Sequence, residues 1–568
     1  MASRHDDRAP ADGAVAPPTR FERLRRNRRA LFVVAVVLLL GQMALAMVTA
    51  AVQQTPTIDE PVYVGTATVY VQQHDLRYNP EHPPLGKLVI GSGLLFARPH
   101  LDPAFEGDQT ELGRRVLYES GNDPWRVMFW ARLPVIVLTL LSGLVVLAFA
   151  RELVGRVGAL VALALYAFSP DVIAHGSLAT LDMPASGFLL TSVWLVWRAR
   201  RRPLPYVPLA GVALGAAVAT KMSMLPAVPL LLVLTVVSVW HAGRAEPGAA
   251  PKDDVRSRVR LLGRGAAAAA GAALVAVAVV WAAYLTVDPR LRWTAPADLP
   301  AVHGLRALLI DLLPVPQPYR DGMRVQFGFE NATWQGFLFG HLYRGSLWYY
   351  LPAALLVKTP IGMAALWTAG SAALLAVRRL RPAAPYLLVP PALLLASAMT
   401  GSRDLGVRYA LFMPVFLAVA AGCAVAVRRR WAGIVTAALV LFTAVSSLLT
   451  YPYYLPYSNE AFGGPEKTYL RLHDSNVDWG QDLGRLADRL DRDHPHEKVW
   501  LVYKGAGVPS AYGIASDDPR TVPADQVHGL LVVSDTSIDK ADARLKALLA
   551  TSRRIDEVGH SITLFRRP

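Results

Sequence analysis

LFVVAVVLLLGQMALAMVTAAV, residues 31–52, decides the fold. The run carries no charge over 22 residues. A helix of about 20 apolar residues is long enough to cross a bilayer's hydrocarbon core. Ahead of it stands a basic stretch with Arg20, Arg23, Arg25, Arg26, Arg28 and Arg29; behind it comes Thr57-Ile58-Asp59-Glu60-Pro61. Residues 1–30 are polar, rich in Pro and Ala and then basic, and are expected to form a disordered cytoplasmic arm. Ala44-Leu45-Ala46 imitates a signal-peptidase site, but the apolar stretch is long for a signal sequence, so an uncleaved anchor is expected.

The same pattern recurs along the chain. Further apolar runs lie near 126–149, 157–174, 184–198, 205–220, 224–242, 264–286, 352–377, 383–400, 408–427 and 431–451, giving about eleven spans. With the N-terminus inside, the strong arginine clusters Arg151/Arg156, Arg198–Arg202, Arg256–Arg264, Arg378–Arg381 and Arg428–Arg430 all fall on the cytoplasmic side. The expected protein is an all-α polytopic membrane protein, with external loops over 53–125 and 287–351. Residues 452–568 form a small extracytoplasmic α/β domain: strands near 499–503, 530–534 and 561–565, helices near 480–491 and 538–550.

Composition agrees. The chain has 568 residues, 53% of them hydrophobic and only 18% charged, with a mean hydropathy of +0.32, which excludes an ordinary soluble enzyme. The net charge of +15 would fit nucleic acid if it formed one basic face. It is instead split among the ends of apolar runs, so no nucleic-acid partner is expected. The single cysteine, Cys423, excludes an intrachain disulfide. The Ala/Val/Arg-rich composition suggests a bacterial cell membrane.

Chemistry concentrates at the external ends of the spans. Asp59 and Glu60 could accept a proton or bind a sugar or metal, or simply cap the helix opening at Pro61. Asn79-Pro80-Glu81-His82-Pro83-Pro84-Leu85-Gly86-Lys87 is stiffened by its prolines, and Lys87 could meet a lipid phosphate or snorkel. Asp182 abuts an apolar run, where an unpaired carboxylate is costly, and could serve as a helix cap or a functional group. Arg132, Lys221, His303, Tyr343-Arg344, Lys358 and Arg408 lie on the same side and could together hold a phosphate.

These strings resemble the protein O-mannosyltransferase and aminoarabinose-transferase group, glycosyltransferase family 39-like, in a bacterial branch. Asp59-Glu60, His82-Pro83-Pro84-Leu85-Gly86-Lys87 and Leu181-Asp182 carry the resemblance. Lys358-Thr359-Pro360, Gly406-Val407-Arg408-Tyr409 and Asp474–Leu483 extend it along most of residues 31–485. The resemblance implies a GT-C fold and a polyprenyl-phosphate sugar donor, with mannose favoured. It also implies inverting transfer to a hydroxyl on protein, glycan or lipid at the outer face. Asp59 would act as base, with Glu60 and Asp182 shaping the site. His82, Lys87, Arg132, Lys221, Tyr343, Arg344, Lys358 and Arg408 would hold carrier or substrate. Glu81, with His82 or His303, is the candidate holder of a divalent metal. A transporter or lipid flippase would place ionisable residues inside the spans, and a non-catalytic scaffold would leave the clustered external acids and cations unexplained.

Overall fold

The computed structural model describes residues 20–244, 255–427 and 429–568. Residues 1–19 of the expected arm, and Arg428, lie outside the described residues. Residues 20–30 are not a separate arm but the opening turns of helix Arg20–Gln53, which runs unbroken into the first apolar stretch.

Every segment read as a span is largely helical. The runs near 126–149 and 157–174 meet at Gly155, whose φ of 77° kinks the stretch Pro124–Ala167 into two helices, in keeping with two separate runs. Helices Asp182–Ala199, Pro203–Thr220, Ala227–Arg244 and Val255–Val287 follow. The run near 352–377 is a bent pair, Tyr350–Lys358 and Ile361–Ala376, turned by 116° across Thr359-Pro360. Ala384–Ala398, Phe412–Gly422 and Ala432–Thr450 complete the series. Among the described residues six helices are long and apolar enough to cross a membrane, or seven with the bent pair taken as one. The figure of about eleven is therefore not reached on length and apolarity. The 384–398 and 412–422 helices are too short by themselves, and the 182–199 helix keeps Asp182 and Arg198 within its eighteen residues.

The segment 53–125 is more than a loop. It holds a buried helix, Glu60–Gln72, and a short apolar one, Pro84–Ala97, which packs along the 124–167 helix. Between Leu313 and Tyr350 lie helix Gln317–Asn331 and a hairpin, β1 (Gln335–Leu338) and β2 (His341–Arg344).

The C-terminal region carries a five-stranded sheet with β3 Val499–Val502, β4 Ser516–Asp517, β5 Gly529–Ser534, β6 Arg553–Val558 and β7 Ile562–Arg567. Its order is β4-β3-β5-β7-β6; β3 runs parallel to both β4 and β5, while β7 is antiparallel to β5 and β6. All four β3 residues are buried, as a strand covered on both faces requires. Helix Leu483–Asp493 packs Leu483, Leu486 and Leu490 on one face of the sheet, and helix Ala543–Ala550 packs Leu545 and Leu548 on the other. The expected strands at 499, 530 and 561 are β3, β5 and β7; β4 and β6 are additions. Residues 452–482 are irregular and pack beneath this sheet onto the helical part.

Candidate active site

The neighbouring acids Asp59 and Glu60 have opposite fates. Asp59 occupies the N-cap position of the 60–72 helix, yet its side chain caps nothing. It pairs instead with Arg408, from the turn that precedes helix 412–422, and keeps a quarter of its side chain open. Glu60 is wholly buried. Its carboxylate takes the Arg132 guanidinium at 2.8 and 2.7 Å, the Thr57 amide and hydroxyl at 2.8 and 3.0 Å, and the Ala179 amide at 2.7 Å. Arg132 in turn donates to the carbonyls of Ala51, Gln54 and Thr55. These carbonyls lie at the C-terminal end of helix 20–53, where a cation is favourable. Glu60 and Arg132, expected at the chemistry and at the carrier, form a saturated brace with no donor or acceptor left for a substrate.

Lys87 departs from expectation in the same way. It is fully buried, and its ammonium donates to the carbonyls of Asn79 and His82, both at 2.7 Å, and to Asn79 Oδ1 at 3.1 Å. All three protons are used, so it ties the 79–87 turn together rather than waiting for a phosphate. Glu81 accepts from Asn79 Nδ2 at 2.8 Å and Gln109 Nε2 at 2.9 Å. His303 is exposed at the N-cap of helix Gly304–Leu312. Among the described residues no group of three or more His, Cys, Asp or Glu side chains gathers to hold a metal ion. Glu81 and His303 are thus not joined by a third such side chain, and Glu81 Oε1 accepts from both amides. Gly86 gives the motif its close fit: a Cβ there would lie 2.5 Å from Leu181 Cδ2 and 3.0 Å from Thr220 Cγ2, the residues preceding Asp182 and Lys221.

Asp182 is not a cap either. Leu181 holds the N-cap position, and the Asp182 carboxylate pairs with Lys221 at the end of helix 203–220. Lys221 also faces the Tyr409 ring, 5.5 Å from its centre. Burial, with the charges of Lys221, Lys87, Arg403 and Arg408, holds His82 well below the usual imidazole range. His82 is thus a neutral ring among cations, one of which, Arg403, was not anticipated. Arg403 donates to Gln326 and Glu330. It ends an apolar run as Arg408 begins one, so the same reasoning could have found it.

Three expected ligands stand apart from this cluster. Lys358 is buried against Asp171 at 3.5 Å and donates to the Leu455 and Asn476 carbonyls at 2.6 and 3.0 Å. The Tyr343 hydroxyl donates to Asp404 at 2.7 Å, and Arg344 is exposed on β2. Lys358 and Tyr343 fasten loops, the first at the 116° bend and the second at the 404 turn.

What sequence reasoning missed is the contribution of the C-terminal region. Asp478 does not cap the following helix. It is buried, accepts from the Gly480 amide, and burial pushes its carboxyl up to about 8 against the pull of Lys504. Trp479 is 1% exposed, and its ring centre lies 4.5 Å from the Arg408 guanidinium. Its carbonyl accepts from the Ile58 amide at 3.0 Å, directly beside Asp59. The functional groups that converge are therefore Asp59, Arg408, Asp182, Lys221, His82, Tyr409 and Trp479, with Arg403 nearby. An acid left partly open beside a guanidinium can take a proton while the cation stabilises departing negative charge. A separate open groove of about 360 Å³, lined by Val89, Gly93, Phe96, Trp130, Pro134 and Leu138, carries no titratable group and suits hydrocarbon.

Residues 36–287 match the family model described as dolichyl-phosphate-mannose-protein mannosyltransferase. The matched stretch spans less than half of the chain. The matched stretch holds Asp59, His82, Lys87, Asp182 and Lys221 but not Arg408 or Trp479. No curated protein matches this chain. Among solved structures it is similar to ArnT from Cupriavidus metallidurans bound to undecaprenyl phosphate, at 14% identity over 93% of this chain and 97% of that one, with a TM-score of 0.46. It is also similar to the S. cerevisiae Pmt1-Pmt2 protein O-mannosyltransferase complex bound to the sugar donor, at 18% identity over 44% and 33%, with a TM-score of 0.32. A third is AglB from Archaeoglobus fulgidus in complex with an inhibitory peptide and a dolichol-phosphate, at 12% identity over 91% and 72%, with a TM-score of 0.44.

Proposed function

We propose that the enzyme transfers a hexose-type sugar, with mannose favoured, from a polyprenyl-phosphate carrier to an acceptor hydroxyl at the outer membrane face. The observation that carries this reading is the Asp59–Arg408 pair. Of the two acids following the first apolar helix, only Asp59 keeps an open side chain, and its ion-pair partner among the described residues is a cation of the kind a phosphate would take. In an inverting displacement the acceptor oxygen attacks the anomeric carbon as the bond from that carbon to the phosphate oxygen breaks. Asp59 receives the hydroxyl proton. The carrier phosphate leaves with its charge against Arg408, with Lys221 near. Asp182 keeps Lys221 in place, and neutral His82 lines the wall. The donors present do not fit a three-ligand metal site, and no step is routed through a metal. A transporter or scaffold would have no need of an open acid and a guanidinium paired above an aromatic floor.

The test uses the purified full-length chain with radiolabelled polyprenyl-phosphate mannose, comparing wild type with Asp59→Asn. The expected result is carrier-bound sugar released by wild type and retained by Asp59→Asn, at equal thermal stability. Full turnover by the variant would refute Asp59 as the base.

A further inference from the structure

We infer that residues Ser475–Leu483 act as a splint that sets the Asp59–Arg408 pair, and that Trp479 is the positioning residue for Arg408. The inference deepens the function proposed above. The two members of the pair come from chain segments 349 residues apart, and the splint grips both. On the Arg408 side, Ser475 Oγ donates to the Leu405 carbonyl at 2.7 Å, and Asn476 Oδ1 accepts the Val407 amide at 2.9 Å. On the Asp59 side, the carbonyls of Trp479 and Gln481 accept the amides of Ile58 and Thr55 at 3.0 and 2.9 Å. Thr55 Oγ1 donates to the Gly480 carbonyl at 2.9 Å and accepts the Leu483 amide at 3.1 Å. The splint is itself rigid: Gln481 bonds back to the Trp479 amide and the Val477 carbonyl.

The Trp479 ring has the Arg408 guanidinium 4.5 Å from its centre, and the His175 ring meets it in a T-shaped arrangement with the two ring centres 6.1 Å apart. An aromatic face holds a guanidinium without occupying any of its N–H donors. Arg132 shows the alternative, a guanidinium fixed by five hydrogen bonds and unable to bind anything else. Among the described residues Arg408 by contrast bonds Asp59 and Tyr409 through its terminal nitrogens and leaves its buried Nε–H without a partner. A face rather than a row of acceptors is what a cation needs if it is to be both placed and available.

The experiment compares full-length wild type with Trp479→Leu, Trp479→Phe and a protein carrying tetrafluorotryptophan at 479, which keeps the ring's shape and removes its negative face. Undecaprenyl phosphate affinity and kcat/KM for polyprenyl-phosphate mannose are measured on each, alone and with Arg408→Ala. The expected losses are about tenfold for Leu and tetrafluorotryptophan and a few-fold for Phe, and they vanish once Arg408 is absent. A tetrafluorotryptophan protein with wild-type affinity and turnover overturns the inference. So does a loss that persists undiminished in the Arg408→Ala background. If the Leu variant fails to fold, the tetrafluorotryptophan protein decides alone. If wild type binds undecaprenyl phosphate but turns over no sugar donor, the proposed mannosyl transfer fails, and the affinities still decide the role of Trp479.

Discussion

Replacing Arg132 by Met separates a brace from a carrier ligand. Both side chains of the Glu60–Arg132 pair are 0% exposed, at 2.7 Å. Removing the cation strands a carboxylate that no water reaches, and breaking one side of a buried pair costs about 3–5 kcal/mol. The carbonyls of Ala51, Gln54 and Thr55 lose their guanidinium donors at the same time, which pushes the total to the upper end of that range. Removing both charges together, as Glu60→Gln with Arg132→Met, is expected to cost less than the sum of the two single changes, because the Gln amide is neutral. The chain carries its own reporter: Cys423 is the single cysteine and is 0% exposed, so a thiol-reactive dye reads global opening on heating. The Arg132→Met midpoint should fall by roughly 5–10 °C. The double variant should recover part of that loss, and the folded fraction of either should bind undecaprenyl phosphate as wild type does. An Arg132→Met protein with an unchanged midpoint and no carrier affinity would refute this reasoning and return Arg132 to the phosphate.

Lys87→Met should likewise lower the thermal midpoint while leaving undecaprenyl phosphate affinity within error, because its ammonium is fully used by the 79–87 turn; carrier affinity lost at normal stability would contradict this. Gly480→Ala should impair folding or stability, since Gly480 has φ +93° and a Cβ would sit 2.7 Å from Gly505 Cα, and a midpoint equal to wild type would count against a rigid splint. In the C-terminal region burial pushes Asp478 up to about 8 and, with Asp535 and Asp478 adding, Asp539 up to about 9. The folded state therefore binds these protons more tightly than the unfolded chain, and stability should fall as pH rises from about 4 towards 9. Asp539→Asn should flatten that slope in thermal melts, and an unchanged slope would rule Asp539 out as its source.

The membrane character was legible because it rests on local composition: each apolar run became helix whatever its neighbours did. Asp59 and Asp182 were legible because carboxylates beside apolar runs must find partners. The partners themselves were not, since Arg408 reaches Asp59 across 349 residues and no local pattern encodes that pairing. Glu60 and Lys87 misled for one physical reason. In sequence a charge beside a span end looks available, whereas burial had already committed every one of their hydrogen-bonding positions. The number of long apolar helices differs from the number of apolar runs because two runs meet at the Gly155 kink and one run bends at Thr359-Pro360. Trp479 was hidden because it lies in a segment that reads as soluble, and nothing local says which span end it will meet.

The splint also sets when the site can exist. Thr55 and Gly480 are separated by 425 residues of chain, which a ribosome adding about 5–20 residues per second covers in roughly 20–85 s. Late in that interval the nascent chain has made Asp59, Asp182, Lys221 and then Arg408 but still lacks Trp479, the face against which Arg408 lies. The grip on the Asp59–Arg408 pair therefore cannot form until residue 483 has been added.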